Sequence, residues 1–154
     1  MARFTVEGFD DLDKMFERLS KPQHLATKAV RAAAPILVKE TRRAIKEQGG
    51  GDGLARSIDA TEPKENQYGT FSVVKPEGRR VKDGTPYVKL AAALEYGTVW
   101  PRKLEDAAKI HHEKLAGKPK NEAKPFRQKA LNAATSKCEE AMIRSVFDEV
   151  EKLI

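Results

Sequence analysis

The side chains that could perform acid–base or metal chemistry are few and poorly grouped. His111, His112 and Glu113 are consecutive, and His24 is the remaining histidine of the chain. Neighbouring residues on a helix point about 100° apart, so two adjacent imidazoles do not converge on one ion without a third partner. Neither a Ser-His-Asp nor a Cys-His arrangement can be assigned from spacing alone. We therefore predict a non-enzymatic protein without a metal or a cofactor.

Two other features invite a chemical interpretation and have a simpler one. Residues 49–53 read Gly-Gly-Gly-Asp-Gly, which has the composition of a phosphate-binding loop. The run lacks the Gly-Lys-Ser/Thr ending that would place a lysine on a phosphate, so we interpret it as a flexible connector. Cys138 is the single cysteine and falls on an apolar helical spacing. We predict a small buried side chain there rather than a reactive thiol.

Positive charge is the strongest chemical signal in the sequence. The net charge is +6, which attracts polyanions or acidic protein surfaces. Arg79, Arg80 and Lys82 lie in a Gly- and Pro-containing stretch, residues 75–86, that reads as a long, basic, mobile loop. Such a loop can neutralise phosphates without reading their sequence. We expect it to line a DNA channel or to dock on a neighbouring protein, and a small basic DNA-binding protein is the alternative interpretation.

Composition limits the size and the environment of the fold. With 154 residues, of which 40% are apolar and 34% charged, the chain favours a single domain, residues 1–154, with a small core. No stretch approaches the run of about 18 apolar residues that a membrane span needs. We therefore expect no membrane partner.

The N-terminal part predicts a strand followed by two helices. Residues 3–7 alternate between apolar and polar side chains, as in a half-buried strand. Four apolar residues then have the i, i+3, i+4, i+7 spacing of an amphipathic helix: Leu12, Met15, Phe16 and Leu19. A longer helix begins near Ser20, which suits an N-cap, and must end by the glycines at 49–51. Pro35 lies inside this second helix, where we expect a kink.

The middle of the chain predicts a small antiparallel sheet. Residues 54–57 can form one helical turn. A strand at 58–60 is then expected to pair with residues 68–74, where Phe71 and Val73 alternate with polar side chains. Residues 63–66 would form the turn between the two strands.

The C-terminal part predicts two more helices around an inserted segment. Helical spacing returns at residues 87–96, and a long final helix begins after Pro125. Residues 99–124 are polar and basic and read as an insertion. The fold class that follows is α+β, with long helices packed on a small antiparallel sheet, a long C-terminal helix and a mobile basic loop.

Several short motifs occur in a recognisable order. Two runs are the clearest, one at the end of the helix predicted at 87–96 and one at the start of the final helix. They are Glu95-Tyr96-Gly97-Thr98 and Pro125-Phe126. Upstream of them come a Gly-Phe-Asp-Asp-Leu start, a long Ala-rich helix and the run Leu54-Ala55-Arg56-Ser57-Ile58. This order resembles the tail-completion or neck protein family of lambda-like and Hong Kong 97-like long-tailed bacteriophages. Lys129 departs from the family pattern, which commonly has a proline at that position.

The motif residues have physical roles that do not depend on the resemblance. Gly97 directly after an apolar helix suits a C-cap, where a positive φ costs least in glycine. Pro125 restricts the entry to the last helix, and Phe126 is predicted to anchor that helix in the core beside Tyr96. We therefore interpret these residues as scaffold, with direct contact to a partner as the alternative.

The resemblance implies a structural virion protein at the head-proximal end of a phage tail. It would form part of the head–tail connector ring and be needed for tail completion and head–tail joining. The expected partners are copies of itself in a six-fold ring, the tail terminator or tail tube, the head-side connector proteins, and DNA in the channel through non-specific contact. The expected location is the tail–head junction of the virion, after assembly in the host cytoplasm.

Overall fold

The computed structural model describes residues 22–99 and 119–152. Its two longest elements are helices, as the helical periodicity of the sequence predicts. The elements in chain order are α1 (Pro22–Glu47), α2 (Asp52–Arg56), β1 (Ile58–Ala60), β2 (Lys64–Asn66), β3 (Gly69–Phe71), β4 (Val74–Pro76), α3 (Tyr87–Tyr96), β5 (Thr98–Val99), β6 (Pro119–Asn121) and α4 (Arg127–Glu151). Long helices combined with short antiparallel strands make the fold α+β, as the sequence predicts.

The long helices α1 and α4 pack side by side in antiparallel directions. Lys129 near the start of α4 contacts Glu47 at the end of α1, with 2.7 Å between Nζ and Oε2. Glu149 near the end of α4 contacts Lys28 near the start of α1. The residues buried between the two helices are small, which lets their axes approach closely: Ala29, Ala33, Ala130 and Ala134.

The core lies where the end of α1 meets the start of α4. Ile45 and Ile58 are the largest fully buried side chains, and α2 and α3 cover them. Burying side chains of this size stabilises the fold by about 1.5–3 kcal/mol each. The complete buried cluster consists of Val38, Ala44, Ile45, Leu54, Ala55, Ile58, Ala91, Phe126 and Ala130.

The predicted partner of the strand at 58–60 is right only at Val74, which pairs with Ala60. β1 pairs with β4, so that Ile58 faces Pro76, and β2 pairs with β3 in a separate hairpin. The predicted turn at 63–66 is therefore wrong, because residues 64–66 form a strand. The chain reverses later, where the Asn66 side chain accepts hydrogen bonds from the N–H groups of Tyr68 and Gly69, at 2.8 and 3.1 Å. An Asx-type turn of this kind outcompetes the weaker turn signal at Pro63.

Some predictions concern residues outside the described ranges. These are the strand at 3–7, the Gly-Phe-Asp-Asp-Leu start, the helix from Leu12 to Leu19, the Ser20 cap, the His111-His112-Glu113 cluster, and residues 100–118 of the predicted insertion. In the two described ranges, no helix combines the length and the apolar character needed to cross a membrane.

Candidate functional site

The two motif segments meet at the start of α4. Glu95 Oε2 accepts hydrogen bonds from the backbone N–H groups of Phe126, at 2.9 Å, and Arg127, at 3.1 Å. The first N–H groups of a helix have no partner within the helix, and negative charge is favourable there. Glu95 therefore caps α4 from the end of α3, 31 residues away in sequence from Phe126. We call residues 94–98 with 121–127 the motif junction.

Gly97 allows the two halves of the motif junction to touch. Its φ of +72° lies in the left-handed region, so the predicted C-cap is confirmed. A Cβ at this position would lie 2.7 Å from Asn121 O and 2.9 Å from Ala123 N, both of which are backbone atoms. Thr98 then pairs with Asn121, whose amide donates to Thr98 Oγ1 at 2.9 Å. Only glycine fits this approach without displacing the backbone.

The aromatic residues of the motifs point in different directions. Phe126 is 2% exposed and anchors α4 in the core, as predicted. Tyr96 is 70% exposed, so the prediction that it lies beside Phe126 in the core is wrong. Its ring instead lies under the Arg127 guanidinium, 5.9 Å from the centroid. Successive residues of a helix point about 100° apart, so Glu95 reaches the backbone N–H groups at the start of α4 while Tyr96 contacts the Arg127 side chain. Pro125, directly before Phe126, is exposed.

The basic loop predicted at residues 75–86 is shorter in the structure, because residues 75 and 76 belong to β4. Residues 78–86 form a hydrogen-bonded turn, which we call the basic finger. Arg80 N donates to Thr85 O at 2.8 Å, and Gly84 N donates to Arg80 O at 2.9 Å. Arg80 also forms an ion pair with Asp83, and this guanidinium is the main reason why the pKa of that carboxyl lies well below its usual range. One of the three predicted cations is therefore neutralised inside the finger.

The other two cations leave the finger positively charged. Arg79 donates to Gly84 O at 3.2 Å, and neither Arg79 nor Lys82 forms an ion pair with a carboxylate of the described residues. Between them lies Val81, whose side chain is 99% exposed. The sequence analysis did not single out Val81. The available signal was an apolar residue within the run Arg-Arg-Val-Lys.

An apolar groove of about 340 Å³ opens between α1, α4 and the segment from β3 to β4. Leu131 at its edge is 51% exposed, although Ala130 beside it is buried. The apolar residues of α4 thus divide, with Ala130 in the core and Leu131 lining the groove. The groove is lined by Val30, Ala33, Ala34, Leu37, Phe71, Ser72, Val74, Leu131, Ala134, Thr135, Cys138, Glu139 and Met142.

Two groups beside the groove titrate away from their usual ranges. Cys138 is half-buried and its thiol donates to Ala33 O at 3.6 Å; burial raises the pKa of this thiol. Glu40, which is buried, accepts from Lys137 Nζ at 2.6 Å, and this hydrogen bond lowers the pKa of the carboxyl. Both groups hold α1 against α4.

Residues 22–99 and 119–152 contain no group of three or more His, Cys, Asp or Glu placed to hold a metal ion. The features with the most defined geometry are therefore the motif junction, the basic finger and the apolar groove.

Comparison with known proteins adds no relative to this picture. No protein-family profile, no curated protein and no solved structure matches the chain.

Proposed function

We propose that this chain is a structural virion subunit at the head-proximal end of a phage tail, part of the head–tail connector ring and needed for tail completion and head–tail joining. The observation that carries the proposal is the pair of hydrogen bonds from the start of α4 to Glu95. The two motifs behind the resemblance are distant in sequence and yet form one structural unit.

The distribution of apolar surface also supports an assembly subunit. Three large apolar side chains of α4 are more than half exposed: Leu131, Ile143 and Phe147. Isolated apolar residues on a surface are normal, but an open apolar groove beside them is typical of an interaction site. In a ring, the groove with Leu131 at its edge would be buried against a neighbouring subunit.

The proposed ring contains copies of this chain in six-fold symmetry. It contacts the tail terminator or tail tube on one side and head-side connector proteins on the other. The basic finger faces either the DNA in the channel or a neighbouring protein. The subunits assemble in the host cytoplasm and remain at the tail–head junction of the virion.

Deleting the gene from a phage or lysogen that carries it tests this proposal. We expect filled heads and tails that remain separate, because the ring that joins them is missing, and we expect restored particles when the gene is supplied from a plasmid. Negative-stain imaging counts the joined and separate particles. A normal proportion of joined particles without the gene would reject the proposal.

A variant of the basic finger separates assembly from folding. Replacing Arg79, Arg80 and Lys82 together by Glu changes exposed side chains, so the subunit should fold while head–tail joining is blocked. Circular dichroism of the purified variant checks the fold, and particle counts check the joining. Normal phage yield would remove the finger from the mechanism.

Non-specific DNA binding is the second candidate function. It is favoured by Arg79 and Lys82, which are exposed and have no carboxylate partner among the described residues. A protein that acts by neutralising phosphates should bind duplex DNA with an affinity that falls steeply with salt, by roughly one power of salt concentration for each phosphate contact. Gel-shift titrations of the purified protein at several salt concentrations measure this slope. Steep binding together with normal head–tail joining after gene deletion would favour this second function.

A further inference from the structure

We infer that the apolar groove receives the basic finger of a neighbouring copy of this chain, with Val81 inserted between α1 and α4. This inference rests on the proposed ring assembly and names the two surfaces that meet in it. A closed head-to-tail ring requires two different and complementary patches on each subunit. The finger and the groove have the properties of such a pair.

The finger presents an apolar side chain on a rigid support. Val81 is 99% exposed, so it does not occupy the groove of its own chain. The turn that carries it is closed at its base, where Tyr87 N donates to Gly78 O at 3.1 Å, and across its middle by the Arg80–Asp83 ion pair. A loop already held in one conformation loses less entropy when it binds. The finger is therefore suited to insertion.

The groove offers an apolar cavity of matching character. Its volume of about 340 Å³ falls within the range of pockets that bury organic groups, roughly 300–1,000 Å³. Leu37 and Val74 contribute to its walls, and Met142 adds a flexible side chain that adapts to an incoming group. Leu131 at the edge is half exposed and would be covered by the finger.

Charge favours a second copy of this chain as the occupant. Glu139 lines the groove and forms no ion pair with another described residue. Lys82 directly follows Val81, and Arg79 precedes it by two residues, so inserting Val81 brings positive charge beside Glu139. Copies with a net charge of +6 repel one another at a distance, and a local match of opposite charges offsets that repulsion.

Disulfide trapping between two different chains tests the contact directly. All variants carry Cys138→Ser, one chain carries Val81→Cys, and the other carries Leu131→Cys. Because each chain has one cysteine, a mixed disulfide can only join two copies. After mild oxidation we expect the mixed dimer, resolved by a size tag on one chain, in about ten-fold excess over the control.

The control replaces Leu131→Cys by Ile143→Cys, which is similarly exposed on the same helix but outside the groove lining. Equal yields from both pairs would overturn the inference.

Charge exchange gives a second readout that does not depend on cysteine chemistry. Glu139→Lys and Lys82→Glu should each weaken self-association, by about three- to ten-fold, because each places like charges together. Combining the two substitutions should restore the association toward that of the parent chain. Sedimentation velocity measures the self-association of the parent chain, the two single variants and the double variant. A double variant whose loss of association equals the sum of the two single losses would contradict the contact.

A segment of the same chain is the rival occupant of the groove. The helix predicted from Leu12 to Leu19 is amphipathic, and its apolar face would suit the same cavity. A chain with Met15→Cys, Leu131→Cys and Cys138→Ser, oxidised together with the chain that carries Val81→Cys and Cys138→Ser, distinguishes the two. An intramolecular disulfide that forms in preference to the mixed dimer would assign the groove to that helix and overturn the inference.

Failure of this contact and failure of the proposed function give different results. Trapping of Val81 against Leu131, combined with normal head–tail joining after gene deletion, would reject the function and keep the interface. Loss of joining after deletion, with no preference for Leu131 over Ile143, would keep the function and reject the interface.

Discussion

The motif junction and the apolar groove lie along the same helix, at its start and toward its middle, and they use their side chains in opposite ways. At the junction, the polar groups are satisfied within the chain, because Glu95 accepts two backbone N–H groups and Asn121 bonds Thr98. At the groove, Leu131 leaves half of its apolar surface in water. The side chains of the motif junction therefore stabilise the fold, whereas the groove leaves apolar surface exposed that a partner can cover.

This difference separates the expected effects of mutations. Changes at the motif junction should lower the free energy of unfolding. Changes at the groove should leave folding nearly intact and weaken self-association. Four substitutions, ordered by the expected loss of stability, test where along α4 this division lies.

Phe126→Ala should have the largest effect. The side chain is 2% exposed, and truncating a buried phenylalanine costs about 3–5 kcal/mol because it removes apolar burial and leaves a cavity. Urea denaturation followed by circular dichroism measures the loss. Phe147→Ala on the same helix is the matched control; Phe147 is largely exposed, so we expect a change within about 1 kcal/mol. Similar losses from both variants would show that the junction does not anchor α4.

Gly97→Ala should follow, at about 2–4 kcal/mol, because it adds both a strained positive φ and a clash with the backbone of residues 121 and 123. Gly84→Ala in the basic finger isolates the first of these contributions. Gly84 has a φ of +69° but nothing within 4 Å of the added Cβ, so its cost should be only about 1–2 kcal/mol. If the two variants were equally stable, the close approach at Gly97 would be unimportant.

Glu95→Ala should cost less, about 1–2 kcal/mol, because it removes the acceptor for the first N–H groups of α4 but leaves its packing in place. Glu95→Gln keeps an oxygen acceptor and loses the charge, so it should retain part of the stability. Urea denaturation of both variants, beside the exposed control Glu122→Ala, measures the difference. A Glu95→Ala variant as stable as that control would mean that water caps α4 equally well.

The sequence predicted the parts of this comparison that depend on local signals. The end of α1 near Gly49, the C-cap at Gly97 and the burial of Phe126 follow from glycine conformation and helical spacing, and all three are confirmed. The hydrogen bonds of Glu95 were not predicted, because they join positions 31 residues apart and no local pattern encodes that contact.

Strand register and surface exposure were harder to predict for the same reason. Alternation between apolar and polar residues does not distinguish β1 pairing to residues 68–74 from β1 pairing to β4. The turn at Asn66, which closes the separate β2–β3 hairpin, was not predicted either. The apolar spacing of α4 likewise places Leu131 and Ala134 on one face without saying what covers them. Ala134 is buried against α1, whereas Leu131 opens into the groove.

Leu131→Ser should have the smallest effect on folding and the clearest effect on assembly. Half of the side chain is already in water, so we expect the free energy of unfolding to fall by about 1 kcal/mol or less. Self-association should weaken, because the finger of a neighbouring copy would lose the apolar edge that it covers. Sedimentation velocity at matched concentrations measures the association, and urea denaturation measures the stability.

Ile143→Ser is the control, since Ile143 has similar exposure on the same helix and lies outside the groove lining. This variant should show the same small loss of stability and leave self-association unchanged. Equal association of the two serine variants would mean that the groove is no more specialised for binding than the rest of the exposed surface of α4.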